Sequence, residues 1–152
     1  MPPRRLATVI AVTIALGLAA PAEAACTIST SPLSFGAYNV FSPTPVDSTG
    51  SVTFRCGNRD HDITISLDRG GAPTFNPRRL LKGAEALSYN LYLNAARTTI
   101  WGDGTGGTQA FFERNPQPNN QDIVIPIYGR VPAGQDVSAG TYSNTITATI
   151  NF

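Results

Sequence analysis

Apolar and polar side chains alternate with period two over most of the chain, which predicts strands rather than helices. Val52, Phe54 and Cys56 fall on one face of the run Ser51 to Cys56, with Ser51, Thr53 and Arg55 on the other. Ile63, Ile65 and Leu67 alternate with Thr64 and Ser66, and Leu87, Tyr89, Leu91 and Leu93 with Ser88, Asn90 and Tyr92. Ile123, Ile125 and Ile127 alternate with Val124, Pro126 and Tyr128, so this strand is either covered on both faces or placed at an edge by its proline. The clearest run closes the chain: Tyr142, Ile146, Ala148, Ile150 and Phe152 share one parity, and Thr141, Thr145, Thr147, Thr149 and Asn151 the other. Clusters of Gly, Pro, Asn, Asp and Ser separate the runs at Ser42–Gly50, Gly57–Asp62, Arg69–Pro77, Gly102–Gly107, Asn115–Gln121 and Pro132–Gly140. About six strands with long turns predict an all-β fold, a β-sandwich. Arg78–Ala86 is read as room for one helical turn.

The first residues break this pattern. Arg4 and Arg5 precede an uncharged apolar run, Leu6 to Ala20; Pro21 ends it, and Ala22-Glu23-Ala24 offers small residues where a signal peptidase cuts. Residues 1–24 are therefore expected to be a signal peptide, with a single domain over 25–152. The run is too short for a membrane anchor, and Glu23 stands where a lipoprotein signal wants a leucine-like residue. Removing Arg4, Arg5 and Glu23 from eleven basic and ten acidic residues leaves nine of each. A formally neutral chain has no general attraction for phosphate backbones or anionic lipid, which argues against nucleic acid as a partner and against stable membrane insertion. Cys26 and Cys56 both survive cleavage, and in an oxidising compartment they are expected to form one disulfide closing a loop of ~30 residues, for about 3–4 kcal/mol.

No catalytic set emerges, and the chain reads as a non-enzyme without a cofactor or metal site. The single histidine, His61, lies between Asp60 and Asp62, which point away from it in an extended chain and are poorly placed to orient the ring. The glycine-rich run Trp101 to Gly107 lacks the Lys-Ser/Thr ending of a phosphate loop and offers only Asp103 to a calcium ion, so it reads as a turn whose glycines, Gly102 and Gly104 among them, take positive φ. Glu85 and Glu113 sit in different loops, with nothing local to raise a pKa for acid catalysis. Trp101, Phe111 and Phe112 flank the glycine run and are candidates for a sugar-stacking or partner surface, weighed against ordinary core packing.

Several ordered segments resemble the spore coat protein U domain family, whose members include archaic chaperone–usher pilin-like subunits. They are Cys26-Thr27-Ile28, Leu33 to Tyr38, Gly50 to Cys56, Leu87 to Tyr92, Trp101 to Gly104, Tyr128 to Gln135, and Gly140 to Thr145 with the closing strand. The resemblance implies an immunoglobulin-like sandwich missing its last strand, completed by a strand from a periplasmic chaperone and then from a sister pilin. It implies a secreted subunit handled by chaperone and usher and carried through the periplasm to the cell surface. The edge that takes the added strand is expected at Tyr142, Ile146, Ala148, Ile150 and Phe152. With cleavage before Ala25, almost nothing precedes Cys26 to serve as a donor strand, which favours a tip, cap or coat role over a shaft. The alternatives are a coat or extracellular-matrix protein assembled without an usher, and a secreted carbohydrate-binding module.

Overall fold

The computed structural model describes residues 26–57, 60–115 and 120–152; the signal peptide expected at 1–24 lies outside them. Every regular element among the described residues is a strand: β1 (Cys26–Ser31), β2 (Val46–Cys56), β3 (Ile63–Leu67), β4 (Arg78–Lys82), β5 (Glu85–Tyr92), β6 (Phe111–Glu113), β7 (Asp122–Val131) and β8 (Ala148–Asn151). They form a five-stranded sheet in the order β1-β2-β7-β5-β4 and a three-stranded sheet in the order β6-β3-β8, antiparallel throughout. This is the expected all-β, immunoglobulin-like sandwich, with eight strands in place of about six.

The alternation decides which side chains fill the space between the sheets. Val52, Phe54, Ile63, Ile65, Leu67, Leu91, Ile125, Ile127 and Val131 are buried in one core. Cys26 lies directly across the β1–β2 ladder from Cys56, and the two form the expected disulfide, with a Cα–Cα distance of 4.0 Å. Pro126 is accommodated because β5 reaches only Tyr128–Arg130 of β7, so that β2 alone lies alongside the proline. Val124 and Pro126 are exposed, and the outer face of this strand is uncovered.

Three expectations are corrected. Arg78–Ala86 holds no helical turn: β4 and β5 form a hairpin closed at Gly83, whose φ of +58° is the left-handed conformation that glycine adopts without strain. Val46–Gly50 belongs to β2 rather than to a turn. Its polar residues are held extended by the ladder to β7 and by Arg130, whose Nε donates to Asp47 Oδ1 at 2.7 Å. The closing run is a regular strand only over Ala148–Asn151. Ser143 instead bridges Leu81 of β4, with backbone hydrogen bonds of 2.8 and 3.0 Å. The segment thus begins on the edge of one sheet and ends on β3 of the other, and no single ladder can follow it.

Two glycines shape the inner face of the large sheet. After β1, residues 32–40 cross that face; a Cβ on Gly50 would stand 3.2 Å from Leu33 Cβ, and one on Gly129 would stand 2.8 Å from the Phe35 ring. Leu33 and Phe35 occupy the room these glycines leave, and Phe35 meets Tyr89 edge-on at 5.8 Å.

Candidate functional site

The small sheet covers only part of the large one. Over the remainder lies a groove with the inner face of the large sheet as its floor, contributed by Leu80, Leu87, Tyr89, Leu91, Ile127 and Val131. One wall is the segment from Thr30 to Val40, and the other runs from Val137 to Ala148. A wider stretch of about 790 Å³ and a narrower one of about 290 Å³ share Leu33, Phe35, Leu80 and Asn144 in their linings. Residues 30–33 face 144–148 in the narrow stretch, whereas 33–40 face 137–144 in the wide one, so the walls run in opposite directions. β1 and β8 are the sheet edges at the narrow end, and no ladder joins them.

Hydrogen bonds set the shape of each wall. Tyr38 Oη donates to Pro132 O at 3.1 Å and accepts from Gln135 N at 2.9 Å. The Gln135 side chain accepts from Ser88 N at 2.7 Å and donates to Ser88 O at 2.9 Å. A side-chain amide thereby satisfies β5 just beyond its pairing with β7, where Pro132 has no N–H to offer. The opposite wall is tied to the β4–β5 hairpin through Glu85. Its carboxylate accepts from Ser138 Oγ at 2.7 Å, from Ser138 N at 3.2 Å and from the Tyr142 hydroxyl. Lys82 Nζ donates to Ser138 Oγ and, at 2.8 Å, to Ala139 O. These donors, Ser138 first and then Tyr142, hold the Glu85 pKa down to about 2, and the same contact raises that of Tyr142.

A pH dependence follows with a defined sign. Because the folded-state pKa is depressed from 4.5, the stabilisation from ionised Glu85 is complete above about 4.5 and lost as pH falls toward about 2. Urea midpoints measured across that window should fall more steeply for the wild type than for Glu85→Gln. Parallel curves would show that the carboxylate does not hold this wall.

The predicted partner edge is brought together in part. Ile146 and Ala148 line the narrow stretch of the groove and Tyr142 the wide one. Ile150 pairs with Ile65 further along, and Phe152 is exposed beyond the end of β8. The wall formed by 32–40 and the floor residue Leu80 carried no alternating pattern and were missed. The aromatic surface is corrected at its centre: Trp101 is 0% exposed, donates from Nε1 to Ile65 O at 2.9 Å and packs on Phe111, so its ring is core and reaches no ligand. Phe111 is half-buried against Phe54, and Phe112 alone of the three faces solvent. In the glycine loop Gly104 has the expected positive φ of +90°, but Gly102 does not; it is required because a Cβ there would lie 2.3 Å from Thr108 Oγ1. Contrary to expectation, one flanking aspartate does reach the histidine: His61 Nδ1 lies 2.8 Å from Asp62 Oδ2, with both side chains exposed.

A disulfide-clasped sandwich with an apolar groove over its larger sheet defines an immunoglobulin-like class of protein. The comparisons narrow it further. The Spore Coat Protein U domain family model matches residues 12–149, and the chain belongs to this family. It is 35% identical to Protein U of Myxococcus xanthus over 133 residues, covering 79% of this chain and 71% of that protein. Among solved structures it resembles a chaperone–tip adhesion subunit pre-assembly complex from archaic chaperone-usher Csu pili of Acinetobacter baumannii. The TM-score is 0.58 at 22% identity, over 84% of this chain and 39% of that one.

Proposed function

We propose that this chain is a secreted structural subunit of a chaperone–usher surface fibre, and that its groove accepts a strand from a periplasmic chaperone and then from a sister subunit. The single observation that supports this most is the pair of antiparallel walls over an apolar floor, with unpaired sheet edges at β1 and β8. An extended segment laid on the floor beside either edge would find backbone partners there and a place on the floor for every second side chain. The family membership agrees, and the chaperone–subunit nature of the similar solved structure is the source of the chaperone reading. The family's name carries the second reading, a coat protein using the same groove without an usher. A carbohydrate-binding role loses its main support with the burial of Trp101.

Periplasmic expression with a cognate chaperone should give a soluble one-to-one complex. The purified subunit should then take up a peptide copied from a sister pilin's N-terminal extension. Leu80→Asp, on the groove floor, should abolish peptide uptake while circular dichroism remains that of the wild type. A soluble monomer that needs no partner and ignores the peptide would sink the reading.

A further inference from the structure

Phe41 follows directly on Asn39 and Val40, which line the wide end of the groove, and its side chain is 91% exposed. Leu81, Phe112, Val124 and Phe152, the other exposed large apolar residues among the described ones, are only 46% to 61% exposed. Single exposed apolar side chains are ordinary on a protein surface; what sets Phe41 apart is its position, where the wide end of the groove opens. Nor does the ring sit on a loose loop. Ser42 N donates to Asn39 O at 3.0 Å, Phe41 N donates to Asn39 Oδ1 at 3.0 Å, and Thr44 N donates to Ser42 Oγ at 3.2 Å. Pro43 and Pro45 restrict the backbone beyond, so presenting the ring costs little conformational entropy on binding.

The walls say what lies next to this ring. Because they are antiparallel, an inserted strand runs antiparallel to one and parallel to the other. Antiparallel pairing is the more stable per residue, and the wall 137–148 carries β8, the sheet edge with apolar side chains facing the groove. A strand antiparallel to that wall enters at the Thr30 and Ala148 end and leaves beside Asn39 and Val137. If that strand is the N-terminal extension of its own subunit, the folded body that follows emerges at the Phe41 turn.

We infer that Phe41 is a second contact point of the groove, packing against the body of the sister subunit whose extension fills it, and that it thereby favours a whole subunit over a bare strand. This rests on the strand-accepting reading above. The test compares two probes, the extension peptide of a sister pilin and that sister pilin whole, on wild type, Phe41→Ser and Phe112→Ser. Phe41→Ser should bind the peptide as the wild type does and the whole subunit about tenfold more weakly, through faster dissociation. Phe112→Ser, on the small sheet, should match the wild type with both probes. Unchanged binding of the whole subunit to Phe41→Ser would overturn the inference. Equal weakening with peptide and subunit would overturn it too, by assigning Phe41 to the groove itself, and so would an equal loss in Phe112→Ser. Failure of the wild type to bind the peptide would instead remove the strand-accepting reading.

Discussion

Replacing Arg78 by leucine should lower the stability of the oxidised protein by about 2–5 kcal/mol, read as a shift of the urea unfolding midpoint. Arg78 is 0% exposed, and among the described residues no carboxylate lies within ion-pair distance. Its charge is held by oxygen dipoles instead. Nε and Nη2 donate to Asp68 O at 3.0 and 2.9 Å, Nη2 also to Trp101 O at 2.6 Å, and Nη1 to Asn90 Oδ1 at 2.9 Å. The guanidinium also lies over the Phe75 ring, 5.2 Å from its centroid. Burial pulls its pKa below the ordinary arginine value, yet an arginine does not give up its proton in a protein. One planar fork therefore joins the segment after β3, the hairpin β4–β5 and the glycine loop. Leucine would fill much of the volume but leave Asp68 O and Trp101 O without this donor, whereas Asn90 Oδ1 keeps the Leu91 N–H at 3.0 Å. Lysine would carry the charge without the fork, so Arg78→Lys should fall between leucine and wild type. A leucine variant within 1 kcal/mol of wild type would show that water replaces the guanidinium freely.

The second large effect is expected at Trp101, the only tryptophan of the chain. Trp101→Ala should cost about 3–5 kcal/mol, since the ring is entirely buried and the surrounding strands cannot close over the space. Trp101→Phe separates the two contributions. It keeps most of the apolar contact with Phe111 but removes the Nε1–H donor to Ile65 O, and should cost about 0.5–1.5 kcal/mol for the lost buried hydrogen bond. Far-ultraviolet circular dichroism can follow both variants. Wild-type fluorescence should be blue-shifted and move to the red on unfolding. Trp101→Ala at less than about 1 kcal/mol would contradict the burial of the ring.

What the sequence revealed, and what it hid, follows from the range of the interactions. Ile63–Leu67 was legible to the residue because it alternates strictly itself, with Ile63, Ile65 and Leu67 buried and Thr64 and Ser66 turned away from the core. Ser51–Cys56 was legible but truncated: Asp47, Ser48, Thr49 and Gly50 look like a turn until Arg130, far along the chain, is placed beside Asp47. β4 was hidden by the residues that make it useful, since Arg78 as a core side chain contradicts any reading of arginine by hydropathy. The disulfide needed only the compartment. The groove was half legible, its Tyr142–Ala148 side being periodic and its 32–40 side not. The Glu85 cluster could not be found locally, because Ser138 lies 53 positions away. Gly102 was singled out for the wrong reason: its backbone is ordinary, and the constraint is the neighbouring Thr108 side chain.

The long ladder between β2 and β7 has a kinetic consequence. It unites partners as distant as Arg55 with Asp122 and Asp47 with Arg130, separated by 67 and 83 positions. The centre of the large sheet must therefore wait for a costly loop closure, and among the described residues the short hairpin between successive strands of that sheet, β4–β5, lies at its rim. Chains of such topology fold slowly, in milliseconds to seconds, with strand edges bare in the interval. Refolding yield should thus decline as protein concentration rises, and a helper that shields edges during this interval would raise the yield even for a variant whose groove is sealed.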